Sequence, residues 1–153
     1  MSRVTSSIQG HEGYEENPYK DHLDNWTVGW GTLIENKPLA EFNVKTVGEL
    51  LTILSSPSRH KQWFAEGIRQ ASQDAQHFLG NECFASLTHE RQAVVIEMAY
   101  QLGLPRLSTF VRFRAALRDR NFQKARVEML DSRWAQQTPR RAHTLADRMF
   151  VTT

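Results

Sequence analysis

A chain of 153 residues has the size of one ordinary domain, with at most two lobes sharing a core. Its 40% hydrophobic and 24% charged content is that of a soluble globular protein, and a single cysteine excludes an intrachain disulfide. A net charge of +2 favours anionic partners without choosing between nucleic acid and wall polymers. No stretch approaches the roughly 20 apolar residues of a membrane helix, so stable membrane insertion is not expected. The opening MSRVTSSIQGHEG has no apolar run of signal-peptide length, which predicts accumulation in the cytoplasm of the cell that makes it. Cys83 reads as a small buried hydrophobe.

The first predicted helix covers 4–12 and stops at Gly13, a residue that can take the left-handed conformation closing a helix. Between 14 and 34 the character changes. Pro18, Asp21, Asp24, Asn25, Gly29 and Gly31 are turn and bulge residues around Trp26-Thr27-Val28-Gly29-Trp30, which predicts a small antiparallel sheet with a turn near 23–25. Such a hairpin is marginal by itself and must pack against helices. Thr46 to Leu51 opens a helix that Pro57 is expected to end. A long helix over 58–79 follows from Trp63, Phe64, Ile68, Ala71, Ala75, Phe78 and Leu79, which approximate a 3.6-residue repeat. Its other face carries Arg59, Lys61, Glu66, Arg69 and Asp74.

Beyond Gly80 the chain reads as helical. Ala93 to Tyr100 is apolar nearly all round, the mark of a central buried helix, and Gly103 and Pro105 end it. Further short helices are predicted over 110–118, 122–130 and 141–150, with Pro139 placed where the last could begin. The expected organisation is one domain of class α+β. Residues 1–57 form a lobe with the small sheet, 58–79 a linking helix, and 80–153 a helical lobe.

Glu12 stands at the end of the first helix, where the last carbonyls carry partial negative charge and disfavour a carboxylate. An acid kept protonated is what cleaving a glycosidic bond requires. Asp21 lies in a turn-rich stretch, where it can stay ionised and bonded to backbone amides, and the hydroxyl of Thr27 could place a water beside it. Two carboxyls in contrasting environments are the minimal apparatus for hydrolysing a sugar acetal. With 17 acidic residues in the chain, spacing alone does not select this pair, and Asp21 and Thr27 also read as a turn cap and a good strand former.

The order of the whole segment does select it. Glu12-Gly13, Tyr19-Lys20-Asp21 and Thr27-Val28-Gly29-Trp30-Gly31 resemble the catalytic stretch of the T-even phage lysozymes, glycoside hydrolase family 24. Ser132-Arg133-Trp134-Ala135-Gln136-Gln137-Thr138-Pro139, followed by Arg141-Ala142, is similar to that family's C-terminal signature. Arg91 and Ala93 through Met98-Ala99-Tyr100-Gln101-Leu102-Gly103 resemble its central helix.

The resemblance implies a lysozyme-like fold with a sugar-binding cleft, Glu12 as general acid, Asp21 assisting attack by water, and Thr27 placing that water. It implies hydrolysis of the β-1,4 bond between N-acetylmuramic acid and N-acetylglucosamine in bacterial peptidoglycan, with inversion. An inverting enzyme needs carboxyls roughly 6.5 to 9.5 Å apart. Leu33, Tyr100, Gln101 and Arg133 match the cleft wall, where Tyr100 offers a flat face to sugar or peptide, Gln101 hydrogen bonds, and Arg133 a partner for a peptide carboxylate. Structural roles for these three are a buried tyrosine, a helix-surface glutamine and an arginine paired with an interior acid.

No metal or organic cofactor is implied. The expected protein is a monomeric endolysin that reaches the wall through a lesion made by a separate holin. A virion-associated lysozyme and a wall-binding module without catalysis are the alternatives. Departures from the family are Thr32 and Gly67, where many members pair a His with an Asp, and Phe113 and Glu128 at cleft positions otherwise small and polar. The basic run Arg112, Arg114, Arg118, Arg120, Lys124 and Arg126 reads as a solvated helix face, and nucleic acid is not expected as a partner.

Overall fold

Val4 and Ile8, one helical turn apart and both buried, form the inner stripe of the first helix, α1 (Ser2–Glu12). The computed structural model describes residues 2–35, 37 and 41–151. Gly13, at φ 70°, closes α1 by donating its N–H to Gln9 O at 3.0 Å.

The strands β1 (Glu15–Lys20), β2 (Trp26–Gly29) and β3 (Thr32–Leu33) make one antiparallel sheet in that order. Tyr19 faces Thr27 and Lys20 faces Trp26 across the first ladder, while Thr27 and Val28 pair with Leu33 and Thr32 across the second. The first ladder slips between Glu15 and Tyr19, where Pro18 has no N–H to contribute. The β2–β3 corner is Gly29-Trp30-Gly31, with its glycines at φ 65° and 76°.

The helix α2 (Val47–Leu54) begins at a cap legible as Thr-x-x-Glu. Thr46 Oγ1 accepts from Glu49 N–H at 3.1 Å, and Glu49 Oε2 accepts from Lys45 N–H at 2.8 Å. Pro57 does not end this helix, contrary to expectation. α2 stops at Leu54 with Ser55 as its cap, and Pro57 opens α3 (Pro57–Leu79). A first-turn position suits proline, since its missing N–H would have no partner there and its φ is already helical.

Along α3 the predicted stripe of Trp63, Phe64, Ile68, Ala71, Ala75, Phe78 and Leu79 is buried throughout. His60 is also fully buried, although no apolar pattern marks it. Next come α4 (Asn81–Ser86), α5 (His89–Leu107), α6 (Val111–Arg118), α7 (Phe122–Leu130), α8 (Arg133–Gln137) and α9 (Pro139–Phe150). α4 and α8 are too short for a 3.6-residue repeat to show in sequence. Gly103 (φ 77°, ψ 160°) breaks the helical path of α5 after Leu102. Side-chain caps start α5 (Thr88), α7 (Asn121) and α8 (Ser132).

Backbone contacts gather the chain into two units, Val4–Ile68 with Ser2, and the chain from Arg69 onward with Arg3. The change falls within the continuous helix α3. The first unit is cored by Val28, Phe42, Leu54 and Trp63, with Ile34, Val44, Leu50 and Ile53 packed against them. In the second, α9 packs on α5, α7 and α8, and Phe78, Met98, Leu107, Phe113, Leu117, Met129, Leu145 and Met149 are buried. The fully buried Glu97 of α5 accepts from Arg148 at 2.9 Å, so its charge is compensated inside that core. Cys83 is only half-buried, not the buried hydrophobe expected, and burial raises its thiol pKa against a smaller opposing effect of Arg118 and Arg120. Among the described residues no helix is long and apolar enough to cross a membrane.

Candidate active site

Asp21 follows β1 directly and starts the turn that leads to β2. Its Oδ1 accepts from the main-chain N–H of Leu23 and of Asn25, each at 2.9 Å, an Asx-type turn. Its own N–H donates to Asn25 O at 3.0 Å, and Asp24, at φ 64°, donates its N–H to Asp21 O at 2.9 Å. The carboxylate is therefore oriented through one oxygen, and among the described residues Oδ2 accepts no hydrogen bond.

Thr27 follows on β2 and is buried, 2% exposed. Its hydroxyl donates to Asn25 O at 2.9 Å. With the proton so directed, Oγ1 can only accept from whatever approaches it. Leu33 lies opposite Thr27 in the β2–β3 ladder and is 41% exposed, an apolar side chain at the edge of the same sheet.

Glu12 is the last residue of α1 and half-buried. Its carboxyl lies on the β2–β3 corner. A Cβ at Gly31 would stand 2.7 Å from Glu12 Oε2 and 3.0 Å from Cδ, so only glycine permits this approach. Tyr19 registers both candidate carboxyls. Burial raises the pKa of its phenol, and the charges of Glu12, Asp21 and Glu15 raise it further, in that order. Glu12 and Asp21 thus act on one and the same phenol, across the ladder from Thr27.

Tyr100, Gln101 and Arg133 belong to the second unit. Tyr100 is half-buried near the end of the straight part of α5. Gln101 Oε1 accepts from the Trp134 indole N–H at 2.8 Å, which leaves its amide protons as donors. Arg133 opens α8, exposed, at the wall of a cavity of about 520 Å³ that Arg106, Phe110, Arg112, Glu128 and Trp134 also line. Phe113 is the floor of this cavity, 1% exposed and packed on Phe78 and Phe110. Among the described residues no three His, Cys, Asp or Glu side chains gather as a metal site.

The sequence model of the phage lysozyme family matches residues 9–149. The chain belongs to the phage lysozyme family. It is a glycoside hydrolase of the lysozyme type, and its α+β architecture, a small antiparallel sheet with many helices, is lysozyme-like. Its sequence is also similar to the probable T4-type lysozyme 2 of Dictyostelium discoideum, at 21% identity over 154 residues, 94% of this chain and 91% of that one.

Two residues central to this phage lysozyme's sheet corner escape sequence reasoning, Tyr14 and His60. The Tyr14 ring packs on Trp30 at 4.6 Å between centroids, and its hydroxyl lies 2.8 Å from His60 Nδ1. His60 Nε2 lies 2.7 Å from Leu54 O. The only signal available was a polar residue in register with the buried stripe of α3.

Proposed function

We propose that this lysozyme hydrolyses the β-1,4 bond between N-acetylmuramic acid and N-acetylglucosamine in bacterial peptidoglycan, with inversion at the anomeric carbon. Glu12 protonates the glycosidic oxygen as the bond to the anomeric carbon breaks. A water then attacks from the opposite face of the sugar ring and gives its proton to Asp21.

The observation that carries this reading is the linkage of Asp21 and Thr27 through Asn25 O. An attacking water must present a lone pair to carbon and direct its protons to acceptors. Asp21 Oδ2 is an ionisable acceptor left open by the turn, and Thr27 Oγ1 is an acceptor because its proton is already directed to Asn25. A water that donates one proton to each has both lone pairs turned away from them, one of which can attack the anomeric carbon. Leu33 in the first unit, and Tyr100, Gln101 and Arg133 in the second, serve as substrate contacts in this reading.

The setting that fits the resemblance is an endolysin. It acts as a monomer, accumulates in the host cytoplasm and meets the wall after a separate holin opens the membrane. Detection in purified virions would instead assign the same chemistry to genome entry.

Mass analysis of a peptidoglycan digest tests the bond. Reducing-end N-acetylmuramic acid is expected, and 1,6-anhydro ends would overturn hydrolysis in favour of transglycosylation. Proton NMR of the fresh product is expected to show the α anomer, whereas β product would replace inversion by retention. Glu12→Gln is expected to abolish lysis while wall binding remains, and unchanged lysis would sink the assignment of the acid.

A further inference from the structure

The Glu12 carboxyl lies against a corner that two side chains outside the proposed chemistry, Tyr14 and His60, touch. The carboxyl lies so close over Gly31 that a Cβ there would stand 2.7 Å from Oε2, so the space open to the acid is bounded by the path of the corner at Gly31. Its neighbour Trp30 is clamped between two rings, Tyr14 at 4.6 Å and Phe64 at 5.2 Å. The other end of the corner, Gly29, lies on His60, since a Cβ there would meet His60 Cβ at 3.1 Å and Cγ at 3.2 Å.

His60 is fully buried and bonded at both ring nitrogens. A main-chain carbonyl can only accept, so Nε2 carries a proton and donates to Leu54 O. In the neutral ring Nδ1 is then the acceptor, and the Tyr14 hydroxyl donates to it. Tyr14 follows Glu12 in the chain after Gly13 alone. One hydrogen bond therefore ties the chain leaving the acid's helix to the histidine that backs the corner, while the same tyrosine ring presses on Trp30.

We infer that Tyr14 and His60 are positioning residues that fix the Gly29-Trp30-Gly31 corner, and through Gly31 the Glu12 carboxyl, against the scissile bond. The inference rests on the reading of Glu12 as general acid. A carboxyl displaced by a fraction of an ångström still meets substrate but transfers its proton badly, so the effect falls on turnover and not on binding.

The test uses the whole chain and purified peptidoglycan, well below the melting temperature of every variant. Tyr14→Phe removes the hydroxyl and keeps the ring. It is expected to lower kcat about tenfold with KM within about twofold of the parent. Tyr14→Leu removes the clamp as well, and a loss of about 10²-fold in kcat is expected, again with KM held. Thr88→Ala, which uncaps α5 in the second unit, is the stability control, with a lower Tm and unchanged kcat.

Because Tyr14 is 40% exposed, its variants should fold even where replacement of the buried His60 does not. Parental kcat in Tyr14→Phe, or a raised KM at constant kcat, overturns the positioning role, the latter making Tyr14 a substrate contact. Glu12→Gln keeps the two readings apart. If it is inactive while Tyr14→Phe matches the parent, only the positioning role falls. If Glu12→Gln stays active, the acid assignment falls, and the positioning role with it.

Discussion

The hydroxyl of Thr27 and the main-chain N–H of Asp21 donate to one and the same oxygen, the carbonyl of Asn25, at 2.9 and 3.0 Å. The turn before β2 and the strand are thus locked together at the two residues proposed to hold the water. Structure and chemistry can be separated at Asp21. Asp21→Asn keeps an oxygen for the N–H groups of Leu23 and Asn25, so its unfolding free energy should stay within about 0.5 kcal/mol of the parent. Asp21→Ala loses both bonds and should cost about 1–3 kcal/mol. Both should lose about 10²- to 10⁴-fold in kcat, the usual contribution of a general base. Urea unfolding alongside turnover checks this, and an active Asp21→Asn would remove the base from the mechanism.

Gly31 and Gly10 make an opposed pair. Alanine at Gly31 would bring a Cβ within 2.7 Å of Glu12 Oε2 and hold a non-glycine residue at φ 76°. The backbone alone should cost about 1–2 kcal/mol, and displacement of the carboxyl should lower turnover further. Gly10 lies within α1, and a Cβ there meets nothing within 4 Å. Gly10→Ala should stabilise by about 0.5–1 kcal/mol with activity unchanged. Thermal melts and lysis rates on the two variants decide both halves.

These contrasts also mark what a sequence can reveal. Caps and stripes act through near neighbours, so Thr46, Thr88 and the apolar side of α3 are legible as letters in a row. The turn chemistry at Asp21 is equally local. The place of Pro57 is harder, since a proline can stop one helix or start the next, and here α2 has already ended at Leu54 before Pro57 opens α3. His60 and Tyr14 are far apart in the chain, and although His60 stands in register with the buried stripe of α3, nothing in the sequence pairs it with Tyr14. Their bond exists because the fold brings the end of α1 beside the first turns of α3 within one unit. Glu12 is intermediate, its candidacy readable from the order of motifs and its seat on Gly31 visible only in three dimensions.

Three arginines of the second unit, Arg91, Arg118 and Arg120, donate to carbonyls at helix ends. Arg91, 4% exposed, donates to Met149 O at 2.8 Å and Phe150 O at 3.2 Å, capping α9, and stacks on Phe122. Arg118 donates to Leu79 O at the end of α3, Arg120 to Ser86 O, and Arg126 pairs with Asp147. Arg91→Met should cost about 2–4 kcal/mol, because two carbonyls lose a charged donor at a buried site. Arg112→Ala, on the exposed face of α6, should stay within about 0.5 kcal/mol. Urea unfolding measures both. Half of the run 112–126 is thus engaged within the fold and the net charge is only +2, so retention on DNA at moderate salt is not expected, and salt-sensitive retention would contradict that.

Tyr19 offers a direct reading of how near Glu12 and Asp21 stand to one group. Burial first, and then the negative charges of Glu12, Asp21 and Glu15, raise its phenol above the ordinary 10.0. In the unfolded chain the phenol ionises near 10, while in the folded chain it still holds its proton. The folded state then binds more protons, so this contribution to stability is fully present below pH 10 and is lost as pH rises through the folded value. Absorbance near 295 nm should show a late phase in alkaline titration that Tyr19→Phe removes. Tyr14 is raised as well, by burial and then Glu16, so the assignment needs that variant. Glu12→Gln and Asp21→Asn each delete one of the charges and should move the Tyr19 phase to lower pH, with the larger movement from Glu12→Gln. If either substitution leaves the phase in place, that carboxyl does not act on the phenol, and the common influence of Glu12 and Asp21 on Tyr19 is refuted.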